Sequence, residues 1–123
     1  MPPGFSAVTP YLLTNETDRL VAFLKAAFRG EDLDDAYSDE NGVVHAAIRV
    51  EGCSVEVGRA GGAWKPVRAA IHLYVPDVDA AYARALAAGG TSLHEVRVMD
   101  YGERAAAVED PSGNHWYIAT HTG

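Results

Sequence analysis

Residues 69–90 read Ala-Ala-Ile-His-Leu-Tyr-Val-Pro-Asp-Val-Asp-Ala-Ala-Tyr-Ala-Arg-Ala-Leu-Ala-Ala-Gly-Gly. The opening run, Ala69 to Val75, is apolar, short and rich in β-branched and aromatic residues, which is the pattern of a strand. Asp77 can then cap the free amides of a helix, Asp79 suits the positive end of its dipole, and Gly89-Gly90 supplies a left-handed stop. The segment predicts a strand followed by an amphipathic helix.

A shift of 61 positions lays the same plan over Thr9 to Arg29. It matches Leu12 with Leu73, Asp18 with Asp79, Ala22 with Ala83, Ala26 with Ala87 and Ala27 with Ala88, and further on Gly52 with Gly113. The earlier copy opens with the apolar run Val8 to Leu13 and continues with Leu20, Phe23, Leu24 and Ala27 along one helical face, with Asn15 or Thr17 as its cap. Three short strands complete each copy. They are expected near 32–38, 43–50 and 53–58, then near 92–99, 103–109 and 114–120, separated by turn signals at Asn41-Gly42, Glu51-Gly52, Tyr101-Gly102 and Asp110-Pro111-Ser112-Gly113-Asn114. The expected architecture is α+β, βαβββ twice within one domain spanning 1–123: module 1 at about 7–58, a connector at 59–66 and module 2 at about 67–121. Trp64 sits in the Gly-bearing connector, where it can fill a groove over a pocket, anchor a dimer contact or stand idle.

Composition narrows the function. A chain of 123 residues, 48% hydrophobic and 22% charged, has room for one core and no composition for disorder. Seventeen acidic residues against ten Lys and Arg give a net charge of -7, which repels polyphosphates and anionic membranes, so no nucleic acid and no membrane is expected as partner. The stretch Met1-Pro2-Pro3-Gly4-Phe5 has neither the basic nor the apolar region of a secretion signal, and a cytoplasmic location is expected. Cys53, the single cysteine, is expected as a small buried hydrophobe.

Two βαβββ modules with this closing turn resemble the vicinal oxygen chelate superfamily, which includes glyoxalase I, bleomycin-resistance proteins and extradiol dioxygenases. Thr9-Pro10-Tyr11-Leu12, Tyr101-Gly102-Glu103-Arg104 and Gly113-Asn114-His115-Trp116 look most like its PhnB-like branch. The resemblance implies modules that curl their sheets around a cavity, with helices outside and a homodimer completing the structure. It also implies metal-ligand places on the first and last strand of each module, which fall here on Thr9, Glu56, Ala70 and Tyr117. Only Glu56 is a strong donor, and a firmly held divalent ion needs about three, so neither a metal nor another cofactor is expected.

Strand alternation turns His72 and Tyr74 to the same side as Ala70, and Tyr11 to the same side as Thr9. His72 is thus read as a cavity residue that contacts a ligand, as a general base paired with Glu56, or as half of a weak two-ligand metal site. Tyr11, Tyr74 and Tyr117 are expected to line the same hollow, whereas Trp116 faces the other way, towards a helix. His45, His94, His115 and His121 are read as structural or solvated.

The resulting expectation is a metal-independent small-molecule binding protein that sequesters a cationic or aromatic compound, with His72 and Glu56 as the candidate catalytic pair and Thr9, Tyr11, Trp64, Tyr74 and Tyr117 as ligand contacts. The alternatives are a lyase, isomerase or epimerase using His72 and Glu56, and a regulatory dimer with a vestigial cavity.

Overall fold

The computed structural model describes residues 2–121; residues 1, 122 and 123, the ends of the expected domain, lie outside the described residues. In chain order the elements are β1 (Tyr11–Thr14), α1 (Thr17–Phe28), β2 (Glu31–Asp32), β3 (Tyr37–Asp39), β4 (Gly42–Val50), β5 (Cys53–Arg59), β6 (Ala70–Tyr74), α2 (Val78–Ala87), β7 (Thr91–Val98), β8 (Arg104–Glu109) and β9 (His115–Thr120). The two halves form separate sheets of the same design. Sheet 1 runs β1-β5-β4-β2, with β3 also on β4, and sheet 2 runs β6-β9-β8-β7. In each, the first strand lies parallel to the last, and the remaining described pairs are antiparallel. The α+β class and the doubled βαβββ plan are therefore as the repeat predicts.

Local chemistry explains the departures. β1 starts at Tyr11 rather than Val8, because Ser6, Val8 and Thr9 are tied into a local turn by Ser6 Oγ donating to Val8 O and Thr9 Oγ1 donating to Ser6 O. The strand expected near 32–38 is split into β2 and β3, since Glu31, Asp32, Asp34 and Asp35 crowd a sheet edge with poor strand formers. Neither Asn15 nor Thr17 caps α1: the cap position is Glu16, and the Thr17 hydroxyl is spent on Val43 O. Asp77 caps α2 as expected, accepting from the Ala80 amide. Cys53 is exposed, not buried, because it is the first residue after the β4–β5 turn.

The two helices pack against each other, and one hydrophobic core serves both halves. Leu20, Phe23, Leu24 and Phe28 of α1 meet Val78, Ala81 and Ala85 of α2. Trp116, fully buried on β9, places its ring 4.9 Å from that of Phe28, and Arg84 Nε donates to Ala27 O across the seam. Each sheet thus spends one face on this core. Its other face is open within the single chain, and the sheets do not close into a barrel around an enclosed hollow.

Candidate functional site

The open face of sheet 1 is set by the hairpin of β4 and β5. Glu51 and Gly52 both take positive φ (47° and 77°), the conformation of a two-residue turn that matches strand twist. This turn opposes Val50 to Cys53, Ala47 to Glu56 and His45 to Gly58, so His45 and Glu56 share a face. β1 adds Tyr11 opposite Glu56 and Leu13 opposite Gly58. Gly58 has no side chain to fill its place, and the Tyr11 ring lies over it and reaches His45, with ring centroids 5.8 Å apart.

Two depressions lie on the sheet 1 side, linked by the contact of Tyr11, which lines the first, with His45, which lines the second. One, of about 310 Å³, is lined by Tyr11, Leu13, Arg59 and Trp64. Trp64 is 73% exposed, but its backbone is held by two hydrogen bonds with Gly61, so the indole is presented from a fixed turn. The guanidinium of Arg59 makes a bidentate pair with Asp39 at 2.7 and 2.8 Å and also donates to Gly42 O. Those Arg59 hydrogen bonds, with a further one from the Asn41 amide, lower the Asp39 pKa from 3.8 to about 2. With its charge engaged in this way, Arg59 offers the depression its flat flank more than a free cation.

The second depression, of about 530 Å³, is lined by residues that include Phe5, Thr9, Asp34, His45 and Glu56. His45 Nε2 and Glu56 Oε1 are 2.8 Å apart. The expected pairing of Glu56 with His72 is therefore corrected: Glu56 is engaged by His45, on the neighbouring strand, and His72 belongs to the other sheet. From the sequence His45 reads as structural or solvated, yet the Glu51-Gly52 turn sets the register that brings it to the same face as Glu56. Arg59 and Leu13 also went unnoticed, for they carry no chemical signature without the fold. Thr9 is half-buried and occupied by Ser54 and Ser6, with its hydroxyl 2.6 Å from Ser54 Oγ.

Sheet 2 carries the remaining candidates. His72 stands opposite Tyr117 in register and its ring is 4.7 Å from that of Tyr74. The Tyr74 hydroxyl donates to Glu103 at 3.2 Å, and this hydrogen bond to a carboxylate pushes the phenol pKa up. His115 lies 3.2 Å from Glu109, and His121 lies 3.0 Å from Glu103. Tyr11 thus sits on one sheet and Tyr74 and Tyr117 on the other. In the single chain the three phenols do not line one hollow.

The ligand places implied by the resemblance do not fit a divalent ion. Thr9 and Glu56 lie on the sheet 1 side and are engaged by Ser54 and His45, while Ala70 and Tyr117 lie on sheet 2, where Ala70 has no donor. Among the described residues, no three His, Cys, Asp or Glu side chains converge as a metal cluster.

Paired βαβββ modules with chemistry on the open sheet faces define a glyoxalase-like protein. The family model for the glyoxalase-like domain matches residues 10–119, and the chain belongs to that family. Among curated proteins it resembles the uncharacterized protein Mb0911c of Mycobacterium bovis, 31% identical over an alignment of 123 positions that covers 91% of this chain and 81% of the other. Among solved structures it resembles TioX from Micromonospora sp. ML1, with a TM-score of 0.77, 26% identity and coverage of 95% of this chain and 99% of that one. A glyoxalase-related enzyme from Fulvimarina pelagi follows the same fold at a TM-score of 0.75 and 18% identity, over 94% and 88% of the two chains. No helix among the described residues is long and apolar enough to cross a membrane.

Proposed function

We propose that the protein binds a small planar or aromatic molecule without the aid of a metal, in the manner of the glyoxalase and bleomycin-resistance type, in a cytoplasmic setting and as a homodimer. The observation that carries this reading is the depression of about 310 Å³ between Tyr11 and Trp64. It lies within the size range of small-molecule sites, and two aromatic walls with a charge-neutralised Arg59 suit a flat ligand. Asp34 and Glu56 in the second depression favour a ligand that also carries a positive group. The dimer reading is supported by the open aromatic face of sheet 2, where Tyr74 is 53% and Tyr117 42% exposed.

The test uses an acridinium dye as a planar cationic probe. Trp64 is exposed and Trp116 is buried, so binding should quench the solvent-facing indole and leave the other unchanged. Trp64→Phe should remove the quenching and weaken the probe roughly tenfold, a loss of about 1.4 kcal/mol. Equal binding by wild type and Trp64→Phe would refute the site, as would no binding at all.

A further inference from the structure

We infer that His45 and Glu56 form a proton-transfer dyad, which gives the sheet 1 face a chemical activity beyond binding. Three observations converge on it. First, His45 Nε2 is held at 2.8 Å by Glu56, which orients the ring and fixes the proton on that nitrogen when the imidazole is neutral. Second, among the described residues Nδ1 of His45 has no hydrogen-bond partner, so its lone pair is left for a ligand. Third, both side chains border a depression of about 530 Å³ and remain partly accessible, at 37% and 27% exposure. A carboxylate on one imidazole nitrogen and an open site at the other is the arrangement by which a histidine acts as general base.

The substrate class follows from the surroundings. Tyr11 lines the aromatic depression and its ring lies 5.8 Å from that of His45, tilted by 39°, so a planar conjugated compound that reaches from this depression past Tyr11 would bring an acidic C–H bond to the imidazole. His45 Nδ1 takes the proton, the C–H electron pair passes into the conjugated system, and Glu56 balances the imidazolium charge. Return of the proton to the same or a neighbouring carbon regenerates neutral imidazole, so the net reaction is an isomerisation that needs no oxidant, reductant or metal. His45 is the catalytic residue and Glu56 a positioning residue.

The experiment uses 5-nitrobenzisoxazole, a planar carbon acid. Removal of its ring C–H proton breaks the N–O bond and releases a coloured cyanophenolate. Wild type should turn it over with saturation, faster than free imidazole at equal concentration. His45→Ala should lower kcat/KM on the order of a hundredfold, and added imidazole should restore part of the rate. Glu56→Gln should lower kcat about tenfold with KM little changed, a split that a merely structural role would not produce. A rate no greater than that of free imidazole, or one that survives His45→Ala, overturns the dyad. The proposal shares the sheet 1 face with the binding reading, so binding of the inert analogue 5-nitrobenzotriazole is followed by Trp64 fluorescence in parallel. Binding without turnover sinks the dyad alone, and absence of both sinks the two together.

Discussion

A β-carbon on residue 58 would stand 2.5 Å from the Tyr11 hydroxyl and 2.8 and 2.9 Å from ring carbons, which identifies Gly58 as the space into which that ring folds. Tyr11 is half exposed and free to swing outwards, so Gly58→Ala should change stability by under about 1 kcal/mol. Probe binding should nevertheless fall about tenfold as the Tyr11 wall of the aromatic depression shifts. Unfolding curves and dye titration on the same variant separate the effects, and an unchanged affinity would refute the assignment. Asp39 gives a second residue-level expectation. Folding lowers its carboxyl from 3.8 to about 2, so the stability linked to it is complete above the unfolded value and is lost as pH falls from about 4 through about 2. A carboxyl NMR titration should find the midpoint near 2, returning towards 3.8 in Arg59→Gln.

At the level of elements, the turn at residues 110–114 does more than reverse the chain. Asp110, nearly fully buried, accepts hydrogen bonds from the backbone amides of Ser112 and Asn114, from Asn114 Nδ2 and from Trp116 Nε1. The motif therefore positions the indole that joins the two halves. Asp110→Ala would strand several buried donors, and a loss on the order of 3 kcal/mol is expected. Urea unfolding would show it as a lower midpoint at unchanged slope. This turn, the strands and both helices were legible in the sequence because periodicity and turn chemistry are local properties. The first cap and the 31–39 region were not. Thr17 is taken by a distant carbonyl, and the acidic run from Glu31 to Asp35 splits the strand expected near 32–38.

For the molecule as a whole, the open aromatic face of sheet 2 is the feature that a second copy would cover. Sedimentation at micromolar concentration should return twice the chain mass, and Tyr117→Glu, which places a charge on the exposed face of sheet 2, should shift the protein towards monomer. A wild-type monomer would remove the dimer from the reading. Parity turns Tyr11, His72 and Tyr74 towards one cavity, and the resemblance adds Glu56 and Tyr117 to it; the structure divides them, Tyr11 and Glu56 on sheet 1 and His72, Tyr74 and Tyr117 on sheet 2. What parity lacked was the relation between the sheets: alternation orders side chains within one strand and says nothing of which strand a carboxylate meets. Hence His45 was missed as the partner of Glu56, and His72 was given that place.

The shared core bears on where the two halves match and where they differ. Leu12 and Leu73, or Ala27 and Ala88, match across the repeat; Leu12 and Ala27 lie in the shared core, and Leu73 and Ala88 pack against it. The outward positions have no such tie: Tyr11 answers to His72, Leu13 to Tyr74 and Glu56 to Tyr117. The twin scaffolds thus bear unlike surfaces on one shared core, so that a substitution on either open face leaves the packing that holds the pair undisturbed.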